Sequence, residues 1–171
     1  NLINYHEDIK KRKFKILKKI ISETLKIKIH FFKNDIYEKN TRLNLNFGHT
    51  FAHAMEMATD KYSKKDYLRH GEAVGIGIMC EIFYSYGGPS KLLNEVLNIL
   101  NTYKLPTKLL PLNSSFNIID IQNKIYEGIF LDKKKINKYP RYIFLSKKYR
   151  PQIKEIKNFD LLNHTIKYFL N

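Results

Sequence analysis

The sequence predicts an all-α fold, a mainly helical bundle with minor β structure, and three observations carry that prediction. Apolar residues recur at three-to-four spacing over a succession of stretches. One of them, Gly71 to Tyr86, is apolar on most faces, as a central buried helix requires. Extended structure has a short candidate in Tyr142-Ile143-Phe144-Leu145, which is β-branched and aromatic. No internal repeat or low-complexity linker interrupts the pattern, so residues 1–171 are expected to form one domain, a length that suits a sizeable core.

The elements follow in order. From about residue 6 to 30, Ile9, Phe14, Leu17, Ile20, Ile21, Thr24 and Leu25 repeat at helical spacing opposite a Lys-rich face. A second helix is expected over about 41 to 58, then a surface loop from Thr59 to Arg69 with three lysines and two aspartates. The central helix runs from Gly71 and stops at Gly87-Gly88, with Gly75 and Gly77 allowing its neighbours a close approach. Ser90 to Tyr103 places Leu92, Leu93, Val96, Leu97 and Leu100 on one stripe and ends before Pro106. Ile118 to Leu131 fits another helix, and Asp160 to Leu170 a last one with Asp160 as its N-cap.

Two histidine clusters point to chemistry: Asn46-Phe47-Gly48-His49-Thr50-Phe51-Ala52-His53-Ala54 and Arg69-His70-Gly71-Glu72-Ala73. Histidines at i and i+4, with a third before a Gly-led apolar helix, have the type and spacing a divalent metal needs. On a continuous helix, Glu38, Arg42, Asn46, His49, His53 and Glu56 fall within an arc of about 80°. A narrow polar stripe on an otherwise apolar helix belongs around a polar cavity, where buried charges need partners, a metal or a charged ligand. Gly48 inside such a helix costs about 1 kcal/mol relative to Ala, so something is expected to approach its backbone closely. A histidine pair at this spacing is also compatible with a structural role, and the Arg, Asn and Glu beside it are what favour a site.

The net charge is +15, from 31 Lys plus Arg against 16 Asp plus Glu. The five arginines are scattered and the lysines spread along solvent faces, which argues against a nucleic-acid surface and leaves part of the excess for an anionic substrate. No run of 18 or more apolar residues and no leader pattern is present, so no membrane partner and a cytoplasmic location are expected. The single Cys80, inside an apolar helix, reads as a small core residue of a reducing compartment.

At the clusters the sequence resembles 3-dehydroquinate synthase, a sugar phosphate cyclase whose signature N-x-G-H-T-x-G-H-A-x-E is followed by H-G-E-A-V. Here it reads Asn46 to Glu56 and then His70-Gly71-Glu72-Ala73-Val74, and it extends to Lys28, Asp35, Glu38, Arg42 and Asp132-Lys133-Lys134. From about residue 20 onward the chain looks like that enzyme's C-terminal helical domain. The resemblance implies conversion of 3-deoxy-D-arabino-heptulosonate 7-phosphate to 3-dehydroquinate and phosphate, with Zn²⁺ or Co²⁺ and NAD⁺ as cofactors and a homodimer as the working form. It further implies His49 and His70 as metal ligands, with a third ligand in an N-terminal nucleotide-binding domain outside this chain. His53 and Asn46 match residues at the substrate phosphate, and Lys133, or Lys134 beside it, matches a phosphate-binding lysine. Arg42 and Lys28 match the groups that hold the substrate carboxylate, and Glu38 an acidic residue beside them. Glu56 and Glu72 fit supporting or helix-start roles better than ligation.

Two departures stand out. Ala52 replaces the family's second glycine, and no Gly-rich nucleotide motif precedes a strand. The chain alone is therefore expected neither to bind NAD⁺ tightly nor to turn over substrate. Other sugar phosphate cyclases, iron-type alcohol or glycerol dehydrogenases and a non-enzymatic basic helical module are the alternatives.

Overall fold

The computed structural model describes residues 2–59, 68–109, 117–131, 139–146 and 148–170. These residues are mainly helical with a two-stranded sheet, as the periodicity predicts. They divide into two compact units, Asn1–Leu45 and Asn46–Asn171.

The first unit carries α1 (His6–Lys10) and α2 (Phe14–Asn34). The sequence reading merges them, but Arg12 takes a left-handed φ of 52°, and the Lys13 N–H turns back to the Asp8 carbonyl. A left-handed residue cannot continue an α-helix, so the break falls there. After α2 the chain is gathered around Asp35, whose carboxylate accepts the backbone N–H groups of Lys39, Asn40 and Arg42 at 3.0, 2.7 and 3.1 Å. Those bonds hold the carboxyl below its ordinary range, the Lys39 bond contributing most.

A 3₁₀ helix, Thr41–Asn46, follows, and α3 (His49–Thr59) begins only after Gly48. The expected continuous helix over 41–58 is thereby corrected. Asp35 ties residues 39–42 into a turn, and Gly48 sits at φ 84°, outside helical geometry. Gly48 is thus not a mid-helix glycine, and its carbonyl accepts the first α-helical bond, from the Ala52 N–H.

The second unit is built on α4 (His70–Tyr86), which packs against α3, α5 (Lys91–Thr102) and α7 (Phe159–Leu170). Its residues Ala73, Ile76, Met79, Cys80, Ile82 and Phe83 are buried on several sides, which a mid-bundle helix requires. Glycines set how closely α3 and α4 approach. A Cβ on Gly77 would lie 2.0 Å from the Gly48 carbonyl oxygen, and one on Gly48 would lie 2.7 Å from the Ile78 nitrogen. On the other side of α3, Gly128 of α6 (Ile118–Leu131) admits Ala54, to 3.2 Å from where a Cβ would stand.

α4 ends at Gly87 in the left-handed conformation, its N–H bonding back to Phe83, as the sequence predicts. Ser90 caps α5 by accepting the Leu93 N–H. The last helix begins at Phe159 rather than Asp160, and its cap is Asn158, whose side-chain oxygen accepts the Leu161 N–H. Asp160 instead lies in the first turn, where a carboxylate meets the positive end of the helix dipole.

β1 (Arg141–Leu145) pairs antiparallel with β2 (Pro151–Glu155), Arg141 opposite Glu155 and Leu145 opposite Pro151. Every residue of β2 is exposed, so it lacks the apolar alternation that reveals a strand in sequence. β1 is anchored to the bundle through Glu81, a buried carboxylate on α4 that accepts the Ile143 N–H at 2.9 Å. Thr50 of α3 also donates to the Arg141 carbonyl. The expected loop over Thr59 to Arg69 lies largely outside the described residues. Among the described residues no helix is long and apolar enough to cross a membrane.

Candidate metal centre

The start of α3 and the start of α4 bring three imidazoles together. His49 and His53 stand four residues apart on α3, with Glu56 three further on, so their side chains leave one face. His70 is the first residue of α4. The ring centroids of His49 and His53 lie 5.5 Å apart, those of His49 and His70 5.5 Å, and those of His53 and His70 6.0 Å.

Hydrogen bonds determine which ring nitrogens remain available. His70 Nδ1 lies 2.9 Å from Glu56 Oε1, and His49 Nδ1 lies 3.3 Å from the Phe47 carbonyl oxygen. Both oxygens are acceptors, so in the neutral form of each ring Nδ1 is the protonated nitrogen and Nε2 the one that carries the lone pair. Burial is the main force holding the His49 pKa below 6.5, opposed by its bond to Phe47. A neutral imidazole is the form that binds metal.

His53, Glu56 and His70 each offer a ligand atom, all within 4.8 Å of one another. Such nitrogen donors beside a carboxylate suit Zn²⁺ or Co²⁺ better than Mg²⁺ or Ca²⁺. Glu72 has a different task, accepting the Arg69 N–H at the start of α4. Beside the histidines lies a cleft of about 540 Å³ lined by Thr50, His53, Glu56, Met57, Gly128, Ile129 and Leu131. Thr50 and Gly128 carried no signal of this in sequence, because α6 reaches α3 only through tertiary packing.

The other residues singled out by sequence are distributed more widely. Asn46 closes the 3₁₀ helix in the same unit as the histidines. Lys28, Glu38 and Arg42 belong to the first unit, Lys28 exposed on α2. Arg42 donates to the Ile36 carbonyl at 2.8 Å, pairs with Glu38 at 3.4 Å and stacks over the Phe32 ring at 4.9 Å. Glu38 is held at φ 52°, so it orients Arg42 from a turn rather than from the helical arc expected of it. Of that arc, His49, His53 and Glu56 share α3, while Arg42 and Asn46 lie on the separate 3₁₀ helix before it. Lys133 and Lys134 lie outside the described residues.

The sequence model of the family described as 3-dehydroquinate synthase C-terminal matches residues 1–135. The chain is 38% identical over 136 residues to the 3-dehydroquinate synthase of Chlorobaculum tepidum, covering 77% of this chain and 35% of that protein. To the 3-dehydroquinate synthase of Helicobacter pylori it is 37% identical over 130 residues, covering 74% and 34%. It spans about a third of the length of these curated relatives. A crystal structure of 2-deoxy-scyllo-inosose synthase complexed with carbaglucose-6-phosphate, NAD⁺ and Co²⁺ shares the fold, with a TM-score of 0.72 at 23% identity over 91% of this chain and 43% of that one.

Proposed function

The chain belongs to the 3-dehydroquinate synthase C-terminal family, and on that premise we propose that it is the metal- and substrate-binding part of a 3-dehydroquinate synthase. The reaction is the conversion of 3-deoxy-D-arabino-heptulosonate 7-phosphate to 3-dehydroquinate with loss of phosphate. The observation that carries this reading is the meeting of His49, His53 and His70 within 6.0 Å, each at its place in the signature.

In this reading His49 and His70 ligate Zn²⁺ or Co²⁺ through Nε2, and a further ligand comes from the nucleotide-binding domain that relatives carry in their remaining length. The structural relative complexed with NAD⁺ and Co²⁺ supports this cofactor pair. When bound, the metal supplies Lewis acidity toward a substrate oxygen and NAD⁺ a hydride acceptor. His53 and Asn46 bind the substrate phosphate, with Lys133 as its cation. Arg42 and Lys28 bind the carboxylate, for which the planar guanidinium held by Glu38 is suited. These residues mainly position the substrate and neutralise its charge. The enzyme works in the cytoplasm as a homodimer.

The test is phosphate release and 3-dehydroquinate formation by the complete polypeptide with Zn²⁺ and NAD⁺. We expect His49→Ala and His70→Ala each to lower turnover roughly 100-fold or more, because a metal ligand is lost. Full activity in His70→Ala sinks the metal assignment. Turnover of a glucose phosphate but not of the seven-carbon acid reassigns the substrate toward that of the structural relative. The isolated 171-residue chain is expected to be inactive.

A further inference from the structure

We propose that Glu56 is a positioning residue that holds His70 by its Nδ1–H and so presents Nε2 to the metal, rather than a ligand itself. The inference rests on the metal reading above and assigns Glu56 a role within it. The geometry separates the two possibilities. Two donors of a tetrahedral zinc, each at about 2.0–2.1 Å, stand roughly 3.3 Å apart. Glu56 Oε1 and His70 Nδ1 are 2.9 Å apart, the distance of an N–H···O hydrogen bond.

The surroundings of the two side chains support the same role. His70 lies at the first position of α4 with an exposed side chain, and its anchor comes from the neighbouring helix. Glu56 is more enclosed and stands on the face of α3 that carries His49 and His53, so its carboxylate is aimed at His70 by the helix itself. The other acidic candidate, Glu72, is occupied at the start of α4. His49 repeats the device with a different acceptor, its Nδ1 facing the Phe47 carbonyl. His49 and His70 are thereby turned the same way, Nδ1 to an oxygen and Nε2 away from it. A carboxylate behind a metal-binding histidine fixes its tautomer and raises its basicity, and losing such a partner typically weakens metal affinity about 10–100-fold.

The test uses Co²⁺, whose visible absorption reports the number and type of its ligands, in the complete polypeptide. We expect Glu56→Ala to raise the Co²⁺ Kd about 10–100-fold, while the spectrum at saturation stays that of the wild type. Glu56→Gln keeps an acceptor oxygen and the side-chain shape, so it is expected to fall between the two. In the metal-free protein, ¹⁵N chemical shifts should show His70 protonated at Nδ1 in the wild type and a tautomer mixture in Glu56→Ala. A changed saturated spectrum in Glu56→Gln makes Glu56 a ligand and overturns the proposal, as does an unchanged Kd in Glu56→Ala. If His70→Ala retains wild-type Co²⁺ affinity and spectrum, the metal reading itself fails and this role with it.

Discussion

The two units of the chain are held together by different physics. Across the described part of Asn1–Leu45 the one buried residue is Asp35, a carboxylate, and Phe14, Ile21, Leu25, Ile27, Ile29 and Phe32 of α2 remain exposed. Among the described residues the apolar core lies in Asn46–Asn171, from Phe51 and Ala52 on α3 through Phe83 on α4 to Phe169 on α7. In the first unit, order comes from backbone hydrogen bonds within the helices and, after α2, from those to one carboxylate; in the second it comes also from area removed from water and from backbones in contact. The three converging histidines lie in the second, where imidazoles on two helices can be held to a fixed separation.

Truncation should expose this contrast most strongly. Phe83→Ala, at a fully buried site, is expected to destabilise the protein by about 3–5 kcal/mol. Phe14→Ala, at a residue 79% exposed, should stay within about 0.5 kcal/mol. Equal losses in denaturant melts of the two variants would erase the distinction. Next comes Gly77→Ala, where a methyl group must push α4 off the Gly48 carbonyl. A cost of about 1–3 kcal/mol is expected, together with weaker Co²⁺ binding, because moving α4 moves His70 away from His49. An intact Co²⁺ site in a destabilised Gly77→Ala protein would show that the centre tolerates helix separation.

A smaller, local effect is expected at Asp35. Its carboxyl pKa is lowered below 3.8 by the Lys39, Asn40 and Arg42 N–H groups, so the stabilisation is complete above about pH 4 and fades as pH falls through the lower folded value. Amide-exchange protection of those three residues should follow that course and should lose it in Asp35→Asn. Smallest of all is the exposed Lys26–Glu23 pair at 3.0 Å, where Glu23→Gln should cost about 0.2–0.5 kcal/mol. A larger loss would mean that α2 depends on its surface charges more than its neighbour does.

What could be read from the sequence follows the range of the forces involved. α4, α5 and α6 were legible almost to the residue, since their apolar stripes repeat every three to four positions and Gly87 and Ser90 mark a stop and a start. The break at Arg12 and the 3₁₀ helix before Gly48 were not, because no glycine marks the first and the Asp35 side chain, which gathers N–H groups outside any helical periodicity, creates the second. β2 escaped because a strand with no buried face carries no alternation. Asn158 took the cap expected of Asp160, because the helix starts at Phe159 and the Asn158 side chain reaches the Leu161 N–H.

The residue types and spacing of His49, His53 and His70, and the family they belong to, are properties of the sequence alone. That these three rings converge, that Glu56 rather than Glu72 faces His70, and that Gly48 touches α4 were decided by the tertiary structure. Periodicity along one helix says which side chains share a face. Which face of a second helix meets them depends on how closely two backbones can approach, and here the Gly48–Gly77 contact sets that distance.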